Sequence, residues 1–120
     1  MEAEFKLNSE LKNDVLVMHT SGYVNNEGGE KIANEFNKHY EKGINKVIIN
    51  LEKSKVVNSI GISFLIEVIE KLNEKNGKLV FTNLESAIEK TLTIMGLFSF
   101  AGKEATVDAA LKSFGAKAGK

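Results

Sequence analysis

The sequence contains no cysteine, no proline and no tryptophan. Without cysteine, disulfide bonds, thiolate catalysis and cysteine-bound zinc or iron–sulfur centres are excluded, which suits a reducing cytoplasm. Because no proline-rich or low-complexity linker divides the chain, we expect one domain over residues 1–114, followed by a mobile tail at residues 115–120. A chain of 120 residues can bury a core without a metal or a disulfide.

The chain also lacks arginine and any excess of charge. Its 16 basic residues are all lysine and are balanced by 16 acidic residues. It therefore has neither the net charge that attracts nucleic acid nor the side chain that reads guanine or phosphate in a bidentate manner, and we expect no nucleic-acid partner. No apolar run approaches the roughly 18 residues of a membrane span, and the amino-terminal residues include acids. The sequence predicts a cytoplasmic protein without a membrane span.

Motifs for catalysis are absent as well. The two histidines, His19 and His39, lie in no nucleophile or metal-binding motif, and neither a P-loop nor a dinucleotide-binding glycine pattern occurs. We therefore predict a protein that is not an enzyme, with no catalytic residue, no metal site and no cofactor. Gly28 and Gly29 could present backbone amides to a phosphate at a helix start, but a flexible beginning of the helix explains this pair more simply.

Hydrophobic periodicity predicts strands that alternate with helices. We expect strands at 4–8, 15–20, 44–51, 78–82 and 97–100, with helices at 27–42, 59–76, 87–95 and 106–114. A polar turn at 9–14 joins the first two strands into an antiparallel pair, and Asn25 or Asn26 caps the first helix. The fold class is therefore α/β, with a four- to five-stranded, mostly parallel sheet, an antiparallel edge strand and helices mainly on one side.

The most informative stretch is the predicted strand-to-helix turn at Asn58, Ser59, Ile60 and Gly61. A helix with a regular apolar face follows this turn, so Ser59 is expected at an exposed helix amino terminus. On residue type alone, the commonest role of such a serine is to cap the helix through its side-chain oxygen.

The turn also resembles the STAS domain of bacterial anti-sigma-factor antagonists, in which Asp-Ser-Ser/Thr-Gly occupies this position and the first serine is phosphorylated. The resemblance extends from the opening strand pair, through Ser21 to Asn25, to the Met95-Gly96-Leu97-Phe98 stretch and the closing helix. In this chain Asn58 and Asn25 replace the family's aspartates. Ile60 stands where a second hydroxyl residue is usual.

The resemblance implies an antagonist that binds an anti-sigma factor with serine kinase activity and is released when Ser59 is phosphorylated. A metal-dependent serine phosphatase would reset the switch. The implied partner-binding residues are Asn25, Asn58, Ser59, Ile60, Gly61 and Phe64. We expect the missing side chain of Gly61 to let the partner approach, and we expect Val68 to join Ile60 and Phe64 in an apolar contact outside the core.

Two alternatives remain open at this point. The first is a non-switching STAS module that scaffolds a signalling or lipid-transport complex, with Ser59 as a plain helix cap. The second is a small hydrolase or ligand-binding protein that uses the helix start at Gly28 and Gly29.

Overall fold

The computed structural model describes residues 4–115, so residues 116–120 of the expected mobile tail lie outside the described part. The elements are β1 (Lys6–Lys12), β2 (Val15–Ser21), α1 (Asn26–Tyr40), β3 (Lys46–Lys53), α2 (Ser59–Glu74), β4 (Lys78–Thr82), α3 (Ser86–Ile94), a short 3-10 turn (Leu97–Ser99), β5 (Gly102–Glu104) and α4 (Val107–Ser113). The five strands form one sheet in the order β1-β2-β3-β4-β5. β1 is antiparallel to β2 and the other neighbours are parallel, which confirms the predicted fold class.

The alternation of side chains along each strand divides the core into two layers. Val47, Ile49 and Leu51 of β3 face the larger layer, which holds the buried faces of α1, α2 and α3. Ile48 faces the opposite side, where Ala110 of α4 completes a smaller cluster. Three helices therefore cover one face of the sheet and a single short helix covers part of the other.

The largest differences from the sequence predictions lie in the first and the last strand; the other elements agree to within about two residues at each end. The predicted turn at 9–14 is mostly strand, because β1 continues to Lys12 and Asn13 turns the chain with a φ of 60°. β1 is an edge strand whose side chains are largely exposed. Polar residues are therefore tolerated along it, and the hydrophobic pattern that indicates a strand is missing. The predicted strand at 97–100 is wrong, since Leu97–Ser99 forms a 3-10 turn and the last strand is Gly102–Glu104.

A polar contact ties α1 to the edge of the sheet. The carboxylate of Glu35 on α1 accepts a hydrogen bond from the Ser9 hydroxyl of β1, and Lys38 and His39 lie at 3.0 and 3.2 Å from it. The Ser9 hydroxyl, followed by Lys38 and His39, lowers the pKa of Glu35 from 4.5 to about 2. This cluster holds α1 against β1 in addition to the apolar packing of the helix.

Candidate functional site

The loops that follow β2 and β3 run side by side and are joined by backbone hydrogen bonds. Gly22 N donates to the carbonyl oxygen of Lys53 at 3.0 Å, and Val24 N donates to that of Val56 at 2.9 Å. In return, Asn58 N donates to the carbonyl oxygen of Val24 at 3.2 Å. Because α1 and α2 begin directly after these bonds, the two helix starts are held in one structural unit.

Asn58, and not Ser59, caps α2. The side-chain oxygen of Asn58 accepts a hydrogen bond from Gly61 N at 2.8 Å, and its carbonyl oxygen accepts one from Ile62 N at 2.9 Å. Ser59 is the first residue of the helix, and its exposed hydroxyl has no hydrogen bond to any residue in the range 4–115. The interpretation of Ser59 as a plain cap is therefore wrong, and this hydroxyl is available to solvent.

The start of α1 has the same local arrangement. The side-chain oxygen of Asn25 accepts a hydrogen bond from Gly28 N at 3.1 Å, so of the two predicted candidates, Asn25 and Asn26, the cap is Asn25. Gly28 and Gly29 are both buried, and a Cβ on Gly29 would lie 2.7 Å from the ring of Phe64. Since the Gly28 amide is already bonded and both glycines serve close packing, this helix start does not offer the proposed phosphate cradle, and the ligand-binding alternative loses its basis.

Gly61 has a structural role that we did not predict. It is buried, and a Cβ placed on it would lie 2.0 Å from the carbonyl oxygen of Val24. That distance is far shorter than a van der Waals contact. The Val24 carbonyl group cannot move away, because the two loops are paired through hydrogen bonds of Val24. Gly61 therefore allows the loop at Val24 to reach α2 within the molecule, and its role in the approach of a partner stays a prediction.

The apolar residues of this region divide into two groups. Ile60 is 51% exposed, as expected of a contact surface, whereas Val68 is only 1% exposed and belongs to the core. Phe64 is half-buried against Gly29, so it supports the joint between α1 and α2 more than it faces solvent. Val56, in the loop before Ser59, is 53% exposed, and it was not predicted as a surface residue from the sequence. A β-branched residue close to a strand is usually expected to be buried in the sheet.

The starts of α2 and α1 differ in their charges. The first turn of α2 contains no acidic residue, whereas the first turn of α1 contains Glu27. The amino end of a helix carries about half a positive charge, so a negative group on Ser59 would be stabilised there. This end of α2 can thus accept a phosphate without local repulsion from its own helix.

The described residues add no sign of a metal centre. Within residues 4–115, no group of three histidine, aspartate or glutamate side chains is placed to hold a metal ion. Among the helices of the same range, none combines the length and apolarity needed to cross a bilayer.

These features together define a small α/β domain that presents an exposed serine at the helix start after its central strand. The family model for the STAS domain matches residues 6–110, and the chain therefore belongs to the STAS domain family. The predicted family is thereby confirmed.

Similar proteins carry the name of anti-sigma factor antagonists. BtrV of Bordetella bronchiseptica, a candidate anti-sigma factor antagonist, is 24% identical over 94 residues, which cover 78% of this chain and 81% of BtrV. An anti-sigma factor antagonist from Mycobacterium paratuberculosis superposes with a TM-score of 0.82 at 19% identity, over 94% of this chain and 97% of that one. SpoIIAA of Bacillus in its phosphorylated form gives a TM-score of 0.71 at 18% identity, over 92% and 99%. These likenesses at low identity show a shared fold.

Proposed function

We propose that this chain is an anti-sigma-factor antagonist whose binding is switched by phosphorylation of Ser59. The unphosphorylated protein binds an anti-sigma factor, and phosphorylation releases it. The observation that carries the proposal is the exposed, unbonded hydroxyl of Ser59 as the first residue of α2. The names of the similar proteins and the existence of a phosphorylated SpoIIAA support it.

The surroundings of Ser59 explain how one phosphate would act mainly on a partner. Phosphorylation adds about −1.5 to −2 charges, which the amino end of α2 tolerates, so the domain stays folded. Ile60 and Val56, each about half exposed, supply an apolar contact on either side of Ser59 in the sequence. A dianion on Ser59, next to Ile60 in the chain, must lose its hydration when a partner docks, and binding weakens accordingly.

The switch requires two partner activities. An anti-sigma factor with serine kinase activity transfers the γ-phosphoryl group of ATP to Ser59 Oγ; the hydroxyl proton is lost to a base of the kinase and ADP leaves. A metal-dependent serine phosphatase then hydrolyses the phosphoester with water. The antagonist is a substrate in both steps. Its contribution is to position the Ser59 hydroxyl, through the Asn58 cap that fixes the first turn of α2. Such a cycle operates in the cytoplasm.

Intact-mass measurement after incubation with a candidate kinase and ATP tests the acceptor. Ser63 provides a matched control, because it is an exposed serine one turn further along α2 whose hydroxyl donates to the carbonyl oxygen of Ile60 at 2.6 Å. We expect the parent and Ser63→Ala to gain one phosphate and Ser59→Ala to gain none. Uptake by Ser59→Ala at the parent rate would place the acceptor elsewhere.

Calorimetry with the same partner tests the consequence for binding. The phosphorylated parent is expected to bind about 100-fold more weakly than the unphosphorylated protein, while Ser59→Ala binds in the presence of ATP without release. Equal binding by the parent, its phosphorylated form and Ser59→Ala would contradict the switch. It would favour the alternative of a non-switching STAS scaffold in a signalling or lipid-transport complex.

Asn58→Asp tests whether the neutral residue before Ser59 detunes the switch. A carboxylate keeps the capping oxygen and restores the charge found in the family. A faster phosphorylation rate would indicate a detuned switch, whereas slower docking and transfer would indicate a kinase adapted to the amide, because charges at an interface rim act largely on association. Asn25→Asp restores the family's other aspartate and is measured beside it.

A further inference from the structure

The face of the sheet that carries α4 is covered unevenly. α4 packs against β3, β4 and β5, and its cluster fills the amino-terminal half of this face. Toward the carboxyl ends of β2 and β3 the same face becomes polar and bounds an open cavity of about 430 Å³. In sheets with parallel strands, ligands commonly bind beyond the carboxyl ends of the strands.

The strand register arranges the cavity in two rows. In the inner row, Asn8 of β1 pairs with His19 of β2, and His19 pairs with Asn50 of β3. In the outer row, Lys6 of β1 pairs with Ser21 of β2, and Ser21 pairs with Lys53 of β3 after a one-residue irregularity. On β1 and β2 the members of the two rows are two residues apart and therefore share a face of their strand. On β3, Asn50 and Lys53 are three residues apart, and with the irregularity between them both line the cavity.

The inner row forms a fixed floor. Glu52 N donates to the side-chain oxygen of Asn50 at 2.9 Å, so the Asn50 amide nitrogen faces His19 Nδ1 at 3.1 Å. His19 Nδ1 is therefore the acceptor, and His19 Nε2 donates to Glu10 at 3.0 Å. The side chains of His19 and Asn50 are thus bonded within the molecule, and this part of the floor is held without a ligand.

The outer row is different, because its donors are unused. Within residues 4–115, the side chains of Lys6, Ser21 and Lys53 make no hydrogen bond or ion pair. Two ammonium groups and a hydroxyl line the cavity, and Glu52 is the one carboxylate among the lining residues. Charged and hydroxyl donors that converge without internal partners favour an anionic oxygen ligand.

We propose that this cavity binds a small polar molecule that carries an oxyanion, either a phosphate or a carboxylate. Lys6, Ser21 and Lys53 hold the oxyanion, and Glu52 accepts from a hydroxyl of the ligand. The carbonyl oxygen of Lys53 also accepts the Gly22 amide, so the site lies at the base of the paired loops that lead to Ser59. Its occupancy is therefore expected to be visible at the Gly22 amide.

Titration of the ¹⁵N-labelled full chain with inorganic phosphate and, separately, with citrate tests the site. Sodium chloride keeps the ionic strength constant, so that general screening does not change. We expect saturable shifts of the Lys6, Ser21, Gly22 and Lys53 amide signals with at least one probe. A response to phosphate alone identifies a phosphate ligand, and a response to citrate alone identifies a carboxylate.

Matched lysine variants separate the cavity from ordinary surface charge. Lys53→Gln is expected to weaken the saturable binding about tenfold, and Ser21→Ala is expected to weaken it as well. Lys75→Gln removes an exposed lysine at the end of α2 and is expected to change nothing. Absence of saturable shifts with both probes, or equal weakening by Lys75→Gln and Lys53→Gln, would overturn the proposal.

Discussion

The starts of α1 and α2 share one local design and differ in what surrounds it. Both have an asparagine cap whose side-chain oxygen accepts from the amide of a glycine three residues later. At α1 the next residues are polar and include Glu27, which lies 3.5 Å from Lys31. At α2 they are Ser59 and the exposed Ile60, without an acid in the first turn.

The comparison separates the residues that stabilise a helix start from the residues that are exposed there for a function. The two caps perform the same structural task, so the cap by itself does not mark a functional site. The exposed hydroxyl of Ser59 and the exposed side chain of Ile60 distinguish α2, and they are the adjacent groups to which we assign the proposed phosphate acceptor and partner contact. Substitutions at both helix starts test this comparison, together with the contact that holds α1 against β1, beginning with the largest expected effect.

The two glycines test whether the tertiary contact at α2 is tighter than that at α1. A Cβ on Gly61 would lie 2.0 Å from the Val24 carbonyl oxygen, whereas a Cβ on Gly28 would lie 2.8 Å from the Tyr23 carbonyl oxygen and 2.9 Å from the Phe5 ring. We expect Gly61→Ala to lower the free energy of unfolding by about 4 kcal/mol or to prevent folding, and Gly28→Ala to lower it by about 2 kcal/mol. Urea denaturation measures both. Equal losses would show that the two contacts constrain the fold equally.

Acid should loosen the attachment of α1 to β1. The folded-state pKa of Glu35 is about 2, below its ordinary value of 4.5, mainly because of the Ser9 hydroxyl. Its stabilisation is therefore complete above about pH 4.5 and is lost as the pH falls toward 2, by an amount on the order of 2 kcal/mol. Stability measured across this range should be flatter for Glu35→Gln and partly flattened for Ser9→Ala. A Glu35→Gln profile that superposes on that of the parent would contradict this assignment.

The asparagine caps test the similarity of the two starts. Asn25→Ala and Asn58→Ala each remove the acceptor for a glycine amide, and each should lower the free energy of unfolding by about 1 kcal/mol. Thermal unfolding of both variants under one set of conditions measures the losses. A loss at one position with none at the other would show that local capping does not stabilise both helices alike.

Ser59→Ala should have the smallest effect on stability. The Ser59 hydroxyl is exposed and makes no hydrogen bond within residues 4–115, so its removal should change the free energy of unfolding by no more than about 0.5 kcal/mol. Asn58→Ala is the neighbouring reference in the same urea series. If Ser59→Ala loses as much as Asn58→Ala, the serine contributes to the cap after all.

Several features followed from local sequence alone. The hydrophobic periodicity predicted the order of the first four strands and of all four helices, since each element must bury one face. The cap of α1 was predicted at Asn25 or Asn26, and it is Asn25; Ser59 was predicted at an exposed helix start. The last strand was not predicted, because Gly102–Glu104 is only three residues long and is defined by its pairing with β4.

The sequence by itself determined the α/β alternation, the Asn-x-x-Gly pattern at both helix starts and the serine at the second. Tertiary structure decided which of these residues face a neighbour and which face solvent. Val68 became core while Ile60 stayed exposed, and Gly61 became the point where Val24 meets α2. The physical reason is that periodicity and capping act within a few residues, whereas burial and close backbone contact depend on segments far apart in the chain, here the loops after β2 and β3.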